Sequence, residues 1–233
     1  MKTIGIIGGM GPEATLDLFR KIIENTDAKK DQDHPHIIID NYPAIPDRTA
    51  YLLGEGENPA PFLIESAKRL EAAGADMLCM PCNTAHYFAQ DIKSEVTLPM
   101  VHIVEATRDA ILNNLPNCKN VGLLATKGTF IGRVYHNILE NSGIEIIDVP
   151  DEIQNDVMNV IYSVKGGRAD EVVPLLQIAV DRLQDMGAEA LIGGCTEIPL
   201  VIGKAKCKAE VIDPTLELAK AVVKRAVPEK IKI

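Results

Sequence analysis

One stretch of this chain is written twice. Arg69-Leu70 followed by Gly74-Ala75-Asp76-Met77-Leu78, ending at Cys82, returns as Arg182-Leu183 followed by Gly187-Ala188-Glu189-Ala190-Leu191, ending at Cys195, at a constant offset of 195 − 82 = 113. The first apolar segment, Ile4-Gly5-Ile6-Ile7, returns as Val121-Gly122-Leu123-Leu124 at 122 − 5 = 117. Helix ends favour glycine generally, so a single Leu-x-x-x-Gly-Ala coincidence would carry little. Here glycine, apolar segment and cysteine keep register together, which restricts the chain to two similar halves built on one plan.

Short apolar runs at residues 3–8, 37–40, 76–80, 100–103, 120–125, 144–147, 189–192 and 210–212 read as strands buried on both faces. Between them, Leu16, Phe19 and Ile23 recur at helical spacing, as do Leu63, Ala67 and Leu70, and Val172, Leu176, Ala179 and Leu183. The alternation predicts an α/β fold with parallel sheets and right-handed crossovers. A hydrophobic fraction of 46% with 24% charged residues supports a packed core and excludes a disordered chain. The 33 acidic residues against 24 basic ones leave a net charge of −9, which argues against nucleic acid or an anionic membrane as partner. No run approaches the roughly 18 apolar residues of a membrane span, so the chain reads as cytoplasmic. Five cysteines, an odd number, do not make a disulfide framework.

In each copy the cysteine directly follows a predicted strand and precedes a predicted helix start, at Cys82-Asn83-Thr84 and Cys195-Thr196-Glu197. Ligands bind at the carboxyl ends of strands in open parallel sheets, and helix starts there offer free N–H groups. A thiol so placed is a competent base or nucleophile. Two halves facing one another about a pseudo-twofold axis would bring both thiols to one bound molecule from opposite sides, a geometry for two-base proton exchange. An arbitrary lone cysteine is most often a small buried hydrophobe, and Cys79 reads that way; Cys118 and Cys207 take no role.

Cys79-Met80-Pro81-Cys82-Asn83-Thr84-Ala85-His86-Tyr87-Phe88 and Leu191-Ile192-Gly193-Gly194-Cys195-Thr196-Glu197-Ile198-Pro199-Leu200 resemble the two signatures of the pyridoxal-independent aspartate/glutamate racemase family. Ile6-Ile7-Gly8-Gly9-Met10-Gly11-Pro12-Glu13-Ala14-Thr15 is similar to the start of the aspartate racemase branch, and Cys-Thr-Glu stands where glutamate racemases commonly carry Cys-Thr-His. The resemblance implies two α/β lobes related by a pseudo-twofold axis, residues 1–99 with 208–233 and residues 100–207, with the active site in the cleft between them. It implies Cys82 and Cys195 as catalytic residues and no cofactor. Asn83, Thr84 and Thr196 would face the α-carboxylate, Arg48 and Lys165 would hold a second carboxylate, and Met10 and Thr126 would line the pocket. It further implies a homodimer acting on a small acidic amino acid, aspartate before glutamate, with broad amino-acid specificity as the alternative.

Other readings fit less well. Cys79-x-x-Cys82 with His86 lacks a second ligand pair for a metal. Gly9-x-Gly11-x-x-Ala14 fits a loose dinucleotide fingerprint, but Glu13 would meet the pyrophosphate with like charge, and a tight turn with Pro12 opening a helix explains the same residues. A two-lobed binding protein for a small acid, without catalysis, would need no paired thiols.

Overall fold

Gly5 and Gly122 show the duplication at the level of packing between neighbouring strands. In the computed structural model, which describes residues 1–232, Gly5 pairs with Leu78 and Gly122 with Leu191 in parallel ladders. A Cβ on Gly5 would lie 3.1 Å from Leu78 Cδ2, and one on Gly122 would lie 2.7 Å from Leu191 Cδ2. At both addresses, related by the repeat, a Cβ would crowd the leucine side chain carried by the neighbouring strand. Carboxylates repeat as well. Asp76 accepts from the Thr3 N–H at 2.6 Å, and Glu189 accepts from the N–H groups of Lys119 and Asn120, each fixing the start of a central strand.

The chain divides into two compact units, Met1–Ala106 with the segment from Thr215 onward, and Thr107–Pro214. The first contains β1 (Ile4–Gly8), α1 (Pro12–Glu24), β2 (Ile37–Asn41), α2 (Arg48–Leu52), α3 (Ala60–Ala72), β3 (Met77–Cys79) and α4 (Ala89–Glu95). α5 (Ile103–Asn114) carries the chain into the second unit. That unit continues through β4 (Asn120–Leu123), α6 (Lys127–Ile131), α7 (His136–Glu140), β5 (Glu145–Ile146), α8 (Asp151–Lys165), α9 (Val173–Asp185), β6 (Ala190–Ile192), α10 (Pro199–Ile202) and β7 (Glu210–Ile212). α11 (Pro214–Ala226) then packs in the first unit. The sheets are ordered β2-β1-β3 and β5-β4-β6-β7, and every strand pair is parallel. This is the expected α/β class with two parallel sheets.

Three details differ from expectation. The chain crosses between units at 106/107 and 214/215, not 99/100 and 207/208. Leu78 N–H bonds the Pro99 carbonyl and the Val101 N–H bonds Leu78, keeping that segment in the first unit, while β7 pairs with β6 and stays in the second. Residues 100–103 form no strand: Met100 makes one isolated parallel bridge to Leu78 before Ile103 opens α5. On α1 the core face is Ala14, Thr15, Leu18 and Ile22, whereas Leu16 and Ile23 are exposed. Among the described residues no helix is long and apolar enough to cross a membrane.

The turn leaving β1 is fixed by one glycine. Gly9 has φ +92°, and a Cβ there would lie 2.4 Å from the Tyr42 carbonyl carbon. Thr15 locks the same turn, its Oγ1 accepting from Gly9 N–H at 2.9 Å and donating to Gly11 O at 3.1 Å. Gly9→Ala is expected to destabilise the protein by about 2 kcal/mol or more, since strain and overpacking each cost about 1–3 kcal/mol. Thermal unfolding checks this against Gly11→Ala, whose Cβ meets nothing within 4 Å. Equal melting temperatures for the two variants would contradict it.

Candidate active site

In the first unit the candidate residues follow three neighbouring parallel strands at their carboxyl ends: Met10 after β1, Arg48 after β2, and Cys82, Asn83 and Thr84 after β3. All five are buried. Met10, Ile45 and Cys82 share one apolar cluster, so the thiol sits against hydrocarbon on its core side. Cys82 is 7% exposed where Cys79, inside β3, is 0%. Burial pushes the Cys79 thiol up to about 12, which leaves it protonated and inert, as expected of a core cysteine.

Arg48 occupies the first turn of α2, whose preceding Asp47 caps the helix by accepting from Ala50 N–H at 2.8 Å. Tyr51 packs its ring 5.6 Å from Phe88, tying α2 to the short helix Thr84–Phe88 that follows Cys82. The guanidinium is only 8% exposed. Its Nη1 donates to the carbonyls of Pro46 at 2.9 Å and Ile45 at 3.3 Å, and its Nε has no partner. Among the described residues the buried guanidinium is held by neutral carbonyls and makes no ion pair with a carboxylate.

The second unit repeats the arrangement. Thr126, after β4, caps α6 by accepting from Thr129 N–H at 3.2 Å. Cys195 and Thr196 follow β6, and a turn closed by the Ile198 N–H on the Cys195 carbonyl replaces the helix start expected there. On the first-unit side too, the helix after Cys82 is a 3₁₀ turn, and Asn83 does not cap it through its side chain. Neither thiol therefore sits on a long helix N-terminus. Cys195, 8% exposed, donates its S–H to Glu197 Oε2 at 2.8 Å, and Thr196 Oγ1 donates to the same oxygen at 3.2 Å. In the sequence Glu197 reads as an ordinary first-turn helix carboxylate. Its spacing two residues beyond the cysteine was the available signal, hidden by the assumption of a helix where the chain makes a turn.

Two more residues escaped sequence reasoning. Tyr135 is fully buried near Cys195 and Asp213, with its hydroxyl bonded to Thr107, and burial raises its pKa far above the ordinary phenol range. His86 is buried beside Cys82 and bonds its carbonyl. Lys165 is exposed at the C-terminal end of α8, with its ammonium 5.3 Å from the Tyr162 ring centre. Among the described residues no three His, Cys, Asp or Glu side chains gather as a metal site, and Cys79, Cys82 and His86 do not form one.

Duplicated parallel sheets, each carrying a thiol at the same strand end, place the chain in the class of two-unit α/β proteins whose chemistry lies at strand carboxyl ends. The match to that class is specific: the chain belongs to the Asp/Glu/Hydantoin racemase family, whose pattern it fits over residues 7–222. It is similar to aspartate racemase of Picrophilus torridus, with 32% identity, a TM-score of 0.88, and coverage of 100% of this chain and 96% of that one. An aspartate racemase homologue of Pyrococcus horikoshii OT3 aligns at 31% identity and a TM-score of 0.78, covering 97% and 99%. The broad specificity amino-acid racemase RacX of Bacillus subtilis is 29% identical over 227 residues, 94% of this chain and 96% of that protein.

Proposed function

We propose that the chain is a cofactor-independent amino-acid racemase that interconverts L- and D-aspartate, with Cys82 and Cys195 as its two bases. The observation that carries the reading is the repeat itself, which sets a thiol at the same strand end of both units, in each case slightly open where Cys79 is sealed. In one direction the thiolate of one cysteine takes the α-proton. The C–H electron pair passes into the α-carboxylate, and the S–H of the other cysteine protonates the α-carbon on its opposite face. The cysteines end with their protonation states exchanged, ready for the reverse direction.

The difficult part is the carbanion, since no cofactor ring accepts its electrons. Hydrogen-bond donors aimed at the α-carboxylate in a dry site must lower its energy. Asn83, Thr84 and Thr196 are buried polar residues beside the two thiols and take that role. Glu197 accepts from the Cys195 S–H in the resting arrangement and so orients that proton donor. Arg48 binds the side-chain carboxylate of aspartate, with Lys165 as a second cation and Met10 and Thr126 as pocket walls. A homodimeric assembly goes with the same proposal on the strength of the family resemblance alone.

The test is racemisation in deuterium oxide without added pyridoxal phosphate. Deuterium is expected at the α-carbon of both enantiomers, starting from either one. Reversible aspartate binding with no α-exchange would leave only a binding protein and overturn the reading. Broad amino-acid specificity is the second reading, supported by the extent of the similarity to RacX. A panel of acidic and neutral amino acids separates the two, with aspartate expected to give the highest kcat/KM.

A further inference from the structure

His86 makes two hydrogen bonds that together fix its proton. Its Nε2 lies 3.2 Å from the Ile103 backbone nitrogen, which can only donate, so Nε2 must accept. Its Nδ1 lies 2.8 Å from the Cys82 carbonyl oxygen, which can only accept, so Nδ1 must carry the hydrogen. The neutral Nδ1–H imidazole satisfies both at once. An imidazolium would direct a second N–H at the Ile103 N–H. Burial and then the neighbouring His102, whose ring centre is 4.4 Å away, hold the His86 pKa well below its ordinary value, in agreement with that geometry.

The two partners belong to different elements. Cys82 is the thiol that ends the β3 connection, and Ile103 is the first residue of α5, whose leading N–H groups have no acceptor within the helix. The geometry points to His86 as a positioning residue for Cys82: the Ile103 N–H at the start of α5 fixes its tautomer, and its Nδ1–H acts as a strut that holds the Cys82 carbonyl and so sets where the sulfur stands. This deepens the racemase reading and rests on it. His86 touches no reacting atom; it acts through the Cys82 carbonyl.

The inference separates two substitutions that ordinary structural damage would not. Asparagine places an amide N–H where Nδ1–H stood, keeping the bond to Cys82, whereas glutamine places a carbonyl where Nε2 stood, keeping only the bond to Ile103. Solvent-deuterium exchange is measured for each aspartate enantiomer separately, because each thiolate serves the enantiomer whose α-hydrogen faces it. His86→Gln is expected to slow exchange of the Cys82-dependent enantiomer at least 10-fold while changing the other less than about threefold. His86→Asn is expected to recover most of that loss. Equal losses for both enantiomers, no loss in either variant, or no difference between glutamine and asparagine would overturn the strut.

Should the variants fail to fold, imidazole nitrogen NMR of the unaltered protein at pH 7 decides. A protonated Nδ1 with an unprotonated Nε2 is expected, and the opposite tautomer or an imidazolium overturns the inference. Failure of the underlying reading looks different: Cys82→Ala would then exchange both enantiomers at the parent rate, whatever His86 does.

Discussion

Cys82→Ala and Cys195→Ala are each expected to lower aspartate racemisation about 10²–10⁴-fold, the range that a positioned acid or base contributes. Inversion needs one proton removed from one face and one delivered to the other, so losing either thiol stops the full cycle. Each single variant keeps one working base and should still exchange the α-hydrogen of one enantiomer, a different one for each variant. The double variant should racemise little worse than either single one, because groups that act as a unit are not additive. Cys118→Ala serves as the control, its sulfur bonded to the Asn120 carbonyl at 3.8 Å and to the Glu189 carboxylate, and distant in sequence from both signatures. Racemisation followed by polarimetry, with exchange followed by proton NMR, checks all four proteins. Parent-like racemisation by either alanine variant at positions 82 or 195 would sink the two-base reading.

Much of the architecture was legible because it rests on patterns that hydrophobic burial imposes directly. Strands buried on both faces leave continuous apolar runs, and the duplicated Gly-Ala-Asp and Gly-Ala-Glu segments kept their register into the two sheets. α1 was harder. It carries two apolar stripes, Leu16-Phe19-Ile23 and Ala14-Leu18-Ile22, and periodicity alone does not say which one a sheet will cover. Residues 100–103 look like a strand by composition, yet Pro99 has no N–H to give a ladder and Ile103 already belongs to a helix.

The site divides along the same line. As candidates, the cysteines are legible from repetition and Arg48 only from resemblance, because an isolated arginine in a sequence is usually a solvated charge. Its burial against two carbonyls is a tertiary fact. Glu197 and His86 were both in plain view inside the signatures. Their contacts depend on a tight turn after Cys195 and on a hydrogen bond between residues seventeen apart, neither of which has a periodic trace.

Arg48→Met carries the largest expected change in specificity. Methionine keeps an apolar stem where the arginine side chain packs and removes the charge. Truncating one partner of a buried, hydrogen-bonded charge pair costs about 2–5 kcal/mol, so kcat/KM for aspartate should fall by about 30-fold to several thousand-fold. Alanine, which has no second carboxylate to lose, should suffer far less, and the ratio of the two substrates is the quantity to measure. Ligand linkage provides the independent check. A ligand at 100 times its Kd stabilises a protein by about 2.7 kcal/mol, so aspartate should raise the melting temperature of the parent and do so much less for the variant. Among the described residues the guanidinium is a buried charge bonded to carbonyls and to no carboxylate. Replacing it removes that desolvation burden along with two bonds to carbonyls, and these oppose one another in the stability of the unliganded form. Equal losses of kcat/KM for aspartate and alanine would mean that Arg48 supports the fold of the α2 turn and reads no carboxylate. A selective loss with an intact melting transition would place the charge that selects an acidic substrate on this one side chain.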